Sequence, residues 1–143
     1  MEDYFSFLES NRTKFPEGVF EFAYNFCHYD LSDPSSLHDA WLNHLVLREN
    51  GTGDRKQFRS LALELEFLGP FHDKLLQFDY SGVTGFSMQS KDGAPALLNG
   101  CGDVLMHEVR LSDGGLVEHE LQFSSSVVLT ITCSTFRFES VNN

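Results

Sequence analysis

Between Arg59 and Phe67 the chain alternates with a period of two. Arg59, Leu61, Leu63, Leu65 and Phe67 fall on one side, with Ser60, Ala62, Glu64 and Glu66 on the other. That period sends successive side chains to opposite faces of a strand, one toward a core and one toward water. Trp41 to Arg48 reads as the preceding strand, joined to it through the polar tip Asn50-Gly51-Thr52-Gly53-Asp54. Gly69-Pro70 ends the second strand, and Lys74 to Tyr80 with Val83 to Gln89 then predicts a hairpin about Ser81-Gly82. Residues 91–102 form a Gly-, Pro- and Asn-containing loop.

The last third fixes a register. Leu105, His107, Val109 and Leu111 share one face, and Val117, His119, Leu121 and Phe123 share one face of the next strand. Both sets meet a single core only if the connecting loop keeps them in phase. A three-residue loop, Asp113-Gly114-Gly115, pairs Leu111 with Val117, Val109 with His119 and His107 with Leu121. Its third position calls for a left-handed residue, and Gly115 stands there. Val127, Leu129, Ile131 and Cys133 alternate, but Phe136 and Phe138 resume one residue out of step, predicting a β-bulge near Ser134-Thr135.

Toward the N-terminus the period changes. Tyr4, Phe5, Phe7 and Leu8 among polar residues predict a short amphipathic helix over residues 2–12. After Pro16-Glu17-Gly18, two periods compete. Val19, Phe22, Ala23 and Phe26 have helical spacing, while Phe20, Phe22, Tyr24, Phe26 and His28 alternate strictly, which favours a strand over 19–28. The expected fold is mainly β, α+β at the margin. It is an antiparallel meander, curled or sandwich- or barrel-like, with a short N-terminal helix, and residues 1–143 form one domain.

Composition agrees and narrows the function. The 143 residues include 14 Phe, enough for a substantial core. No apolar run approaches the roughly 20 residues of a membrane span. The acidic start Met1-Glu2-Asp3-Tyr4 lacks a secretory signal's basic region, and Cys27, Cys101 and Cys133 show no CxxC spacing. A reducing, cytoplasmic setting is the expectation. The net charge of −11, of which −6 lies in the first 40 residues, repels phosphate backbones and anionic membranes and attracts a basic protein.

Candidate chemistry is sparse. His107 and His119 become diagonal neighbours on the core-facing side, roughly 7 Å apart or less. Such a pair suits a metal, an anion or a general base, with His28, His44 or His72 as further ligands. The favoured role is the more ordinary one, in which each imidazole hydrogen-bonds a core tyrosine, carboxylate or backbone group, or both sit at the open end of the sheet. Glu64 and Glu66, and Glu118 and Glu120, each share the polar face of a strand and offer carboxylates to a cationic partner. Cys101 lacks a local base to activate it, and Trp41, beside Leu42 and Leu45, reads as a core residue. No motif names a catalytic residue or cofactor.

In size, charge and lack of a catalytic motif the chain resembles the small acidic immunity proteins that neutralise bacterial toxins, a resemblance that extends to no particular residue. It implies a domain that engages a basic protein. The alternatives are a metal- or ligand-binding β-domain, an enzyme among them, that uses His107 and His119, and a homo-oligomeric structural module paired through an edge strand.

Overall fold

The computed structural model describes residues 2–91 and 97–143. Eight strands form two antiparallel sheets of four. They are β1 (Trp41–Thr52), β2 (Phe58–Leu68), β3 (Lys74–Ser81), β4 (Gly85–Ser90), β5 (Val104–Leu111), β6 (Val117–Phe123), β7 (Val127–Cys133) and β8 (Thr135–Asn142). Sheet A has the order β1-β2-β3-β8 and sheet B the order β4-β7-β6-β5. They pack as a sandwich, not a closed barrel. Leu63, Leu65 and Phe67 of β2 and Leu121 and Phe123 of β6 are all buried in the core, with the Phe67 and Phe123 rings 6.5 Å apart. The alternation thus does its expected work, and residues 92–96 of the expected loop lie outside the described residues.

The β5–β6 register is the predicted one: Leu111 opposes Val117, Val109 opposes His119 and His107 opposes Leu121. Gly115 adopts φ +78° at the third loop position. One residue differs. A register shift between Val104 and Met106 turns Leu105 outward, and Val104 takes its place in the core.

Two expectations fail at one corner, for one reason. β3 and β4 are not a hairpin, because they belong to different sheets. Ser134 is not a bulge within one strand; it is the link by which the chain leaves β7 in sheet B and enters β8 in sheet A. The turn at Ser81-Gly82 and the phase break at Ser134 therefore both mark crossings between sheets, where a bend re-aims the apolar side chains. The crossings lie side by side, and the Ser134 N–H donates to the carbonyls of Ser81 and Gly82 at 3.0 and 3.1 Å.

Residues 19–28 are not a strand. Helix α1 (Glu2–Ser10) is followed by α2 (Glu17–Tyr24) and a 3₁₀ turn over Phe26–His28. The buried set in α2 is Val19, Phe20, Phe22 and Ala23, a helical stripe, whereas Tyr24 and Phe26 of the alternating set are exposed. Pro16 immediately before the helix and Glu17 in its first turn favour the start. The Phe22 ring carries the helix into the core, 5.2 Å from Phe78 and 5.6 Å from Phe136.

The β5 edge is covered by α1 through a single atom. The Tyr4 hydroxyl accepts from the Val109 N–H at 2.8 Å and donates to the Val109 carbonyl at 3.1 Å. At the corner, Gly82 has φ +61°, and a Cβ there would collide with the Ser134 hydroxyl. Gly82→Ala should therefore lose about 1–3 kcal/mol, the left-handed backbone alone costing about 1–2. Urea unfolding measures this, and a variant as stable as the parent would show that the two crossings do not constrain each other.

Candidate functional site

The two core histidines are brought together, as the register required. Both rings are inside, His119 at 0% exposure, and their nitrogens stand 3.3 Å apart, His119 Nε2 to His107 Nδ1. His119 Nδ1 lies 2.7 Å from the Tyr80 hydroxyl of β3, and His107 Nε2 lies 3.3 Å from the His28 carbonyl.

Elementary valence fixes the protons. A carbonyl only accepts, so His107 Nε2 carries hydrogen and, in a neutral ring, His107 Nδ1 accepts. His119 Nε2–H then donates to it, leaving His119 Nδ1 to accept from the Tyr80 O–H. One directed chain runs from sheet A through sheet B to the N-terminal segment. The His28 carbonyl also accepts from the Leu37 N–H at 3.1 Å, so both its lone pairs are used. His28 in turn donates from Nδ1 to the Ser35 carbonyl at 3.0 Å.

Burial holds these rings neutral. Desolvation pushes His107 down to about 3, and His119 falls well below the usual imidazole range by burial first and by its neighbours His107 and Arg110 next. Desolvation likewise raises Tyr80 far above the phenol range. Tyr29 stacks on His107 at 4.5 Å with the rings nearly parallel, and Phe22 lies 4.3 Å from His28.

The same geometry bears on metal binding. Each of the four ring nitrogens of His107 and His119 is engaged, so a metal would have to break a bond of the chain to find a lone pair. Among the described residues no group of three or more His, Cys, Asp or Glu is arranged to hold a metal ion. His44 is on the outer face of sheet A beside Glu64, and His72 packs against Trp41 in the β2–β3 turn, both far from the core pair in the fold.

The carboxylates divide between two surfaces. Glu64 and Glu66 lie on the outer face of sheet A, with His44 Nε2 3.1 Å from Glu64, and Gln77 donating to Glu66 at 2.8 Å. Glu118 and Glu120 lie on the outer face of sheet B, where Arg110 donates to them at 2.8 and 3.3 Å and to Glu108 at 3.2 Å. The two outer faces point away from each other across the sandwich. The four glutamates therefore form no single patch, and the sheet B pair is already held by a cation of its own chain.

Trp41 is not a core residue. Its pairing with Leu68 puts it on the outer side of sheet A, 49% exposed. A register shift between Leu42 and His44 explains the difference: Leu42 and Leu45 turn inward and Trp41 outward. Phe71, in the β2–β3 turn, is 53% exposed. Cys101 is partly covered and packs against the core, and burial raises its thiol further from the reactive thiolate.

Comparison with protein-family models and with curated proteins finds no match. Among the described residues no helix is long and apolar enough to cross a membrane.

The sequence pattern brings the two histidines together and points to a core tyrosine or backbone group as partner, but does not single out Tyr80 or the His28 carbonyl. Tyr80 was legible as an inward position, alternating with Leu76 and Phe78. The His28 carbonyl carried no sequence signal, because it depends on a turn.

The imidazole chain makes stability pH-dependent. Free imidazoles in the unfolded chain take protons near pH 6.5, whereas His107 and His119 stay neutral when folded. Below 6.5 the unfolded state binds more protons, so stability falls with pH, from about 6.5 down toward 3. At about 1.4 kcal/mol per pH unit for each ring, the pair should lose about 2–3 kcal/mol between pH 7.5 and 5.5. Urea unfolding across that interval tests it; equal stability at both ends would mean the rings are charged or solvated in the fold.

Proposed function

We propose that the protein is a binding domain for a basic protein, an inhibitor of the immunity type, and that it uses the outer face of sheet A. The observation that carries this reading is Trp41. The sole tryptophan of the chain is half exposed at one end of a row made by Leu68, Leu75 and Val141, with Phe71 in the adjoining turn. Exposed tryptophan beside an apolar row is the composition of an interface anchor.

Charge supports the partner's sign. Next to the apolar row the cross-strand register sets His44, Glu66, Gln77 and Glu139 in line, then Val46, Glu64, Asp79 and Arg137. Carboxylates outnumber guanidiniums in these two rows. Glu66 is the most enclosed of the charged groups on this face and already has its partners Gln77 and His44. Glu64 is more open.

The chain's own cations gather elsewhere. Past Ala62 the β1–β2 ribbon has no third strand among the described residues, and Arg48 at its root with Arg55, Lys56 and Arg59 beyond are four of the ten Lys and Arg. The body is left with a net charge of −13. That separation favours steering a cationic surface toward the end of sheet A that carries Trp41.

A stoichiometric basic protein from the native host should co-purify with the chain at low ionic strength. Against that partner, Trp41→Ala should weaken binding about 30-fold or more, as truncating an aromatic anchor does. Glu64→Gln with Asp79→Asn should chiefly slow association and flatten its salt dependence. Calorimetry and stopped-flow mixing read these effects. An acidic partner, or one indifferent to Trp41→Ala, would overturn the assignment of this face.

A further inference from the structure

Among the described residues, the cover over the β5 edge has a gap. At one end the Asp39 N–H donates to the Val104 carbonyl at 2.8 Å, and the Val104 N–H donates to Ala40 at 3.1 Å. Further along, the Tyr4 hydroxyl takes both peptide groups of Val109. Between them, His107 lies two residues from Val109, so its N–H and C=O face the same way, out of the sheet. The ladder confirms the parity. Ser112 N–H bonds Leu116, so Ser112, Arg110 and Glu108 turn their peptide groups toward β6, and the odd residues turn theirs outward.

A cavity of about 300 Å³ opens at this gap. Tyr4 and Tyr29 supply aromatic walls, and Leu105 and Met106 apolar ones. Both are exposed: Leu105 is the residue that the register shift between Val104 and Met106 leaves unpaired, and Met106, opposite Gln122, keeps its place in the ladder. Glu108 and His38 stand at its polar margin. The chain's net charge of −11 and the Glu108 carboxylate disfavour an anionic guest.

We propose that this cavity binds a small neutral phenol, whose hydroxyl bridges the N–H and C=O of His107 as Tyr4 bridges those of Val109. The template is in the same strand: one phenolic oxygen, accepting at 2.8 Å and donating at 3.1 Å, satisfies one outward-facing residue. A second phenol two residues away meets the same backbone pair, with its ring against Tyr4, Tyr29 and Met106. The volume suits a monocyclic ligand. This site is separate from the outer face of sheet A, so it stands or falls independently of the partner assigned there.

The probe is p-cresol, titrated into ¹⁵N-labelled protein at neutral pH. The His107 amide should shift saturably, with a Kd of about 1 mM or tighter. Toluene, which fills the same apolar space without a hydroxyl, should bind about tenfold more weakly, since one bridging hydroxyl is lost. Met106→Trp, a substitution at a half-exposed position that fills the mouth, should abolish the shift; Met106→Lys, which removes the apolar wall, should weaken it if the tryptophan variant does not fold. Equal binding of toluene and p-cresol, an unmoved His107 amide, or unchanged binding in the Met106 variants would each overturn the site.

Discussion

A single hydrogen-bonded chain joins the three layers of this protein. It begins at the Tyr80 hydroxyl in sheet A, passes through His119 and His107 in sheet B, and ends on the His28 carbonyl in the N-terminal segment. Apolar packing supplies most of the driving force for collapse, but it is non-directional. The chain adds direction. A neutral imidazole accepts at one nitrogen and donates from the other, so it can hand a hydrogen bond across a dry core. Phenylalanine at either position would strand a partner, at about 1–3 kcal/mol for each buried polar group left unmet.

The rest of the architecture follows from what surrounds that chain. Phe22 lies within 6.0 Å of His28, His107 and His119 and seals the end of the sandwich with α2. Tyr29 covers His107, and its hydroxyl donates to the Ala23 carbonyl at 2.8 Å, binding the turn back onto the helix. Water is thereby excluded from both imidazoles, which keeps them neutral and makes each hydrogen bond count for more than at the surface. The N-terminal helices are thus part of the core and not an appendage.

The sheet content of the fold is written in plain period-two alternation, and so is the diagonal approach of His107 to His119, because a half-buried hairpin with a three-residue loop has one register that serves its core. What escaped were features decided by distant contacts. Residues 19–28 carried both periods, and burial against Phe78 and Phe136 selected the helical one. The phase break at Ser134 was visible, but a bulge and a change of sheet look alike along one strand. Trp41 departs from its expected place for the same reason: a register shift two residues away reverses its face, and nothing in Leu42 or Leu45 announces it.

The polar interior of the protein orients its layers, and the binding roles proposed for it fall on surfaces: the tryptophan end of sheet A and the open stretch of the β5 edge. The most direct test of the account is the protonation of the two core rings, read by long-range ¹⁵N–¹H NMR of labelled histidine at neutral pH. The directed chain predicts that His107 and His119 are both neutral, each with its proton on Nε2 and a bare Nδ1. A proton on Nδ1 of either ring, or a charged imidazolium, would contradict it.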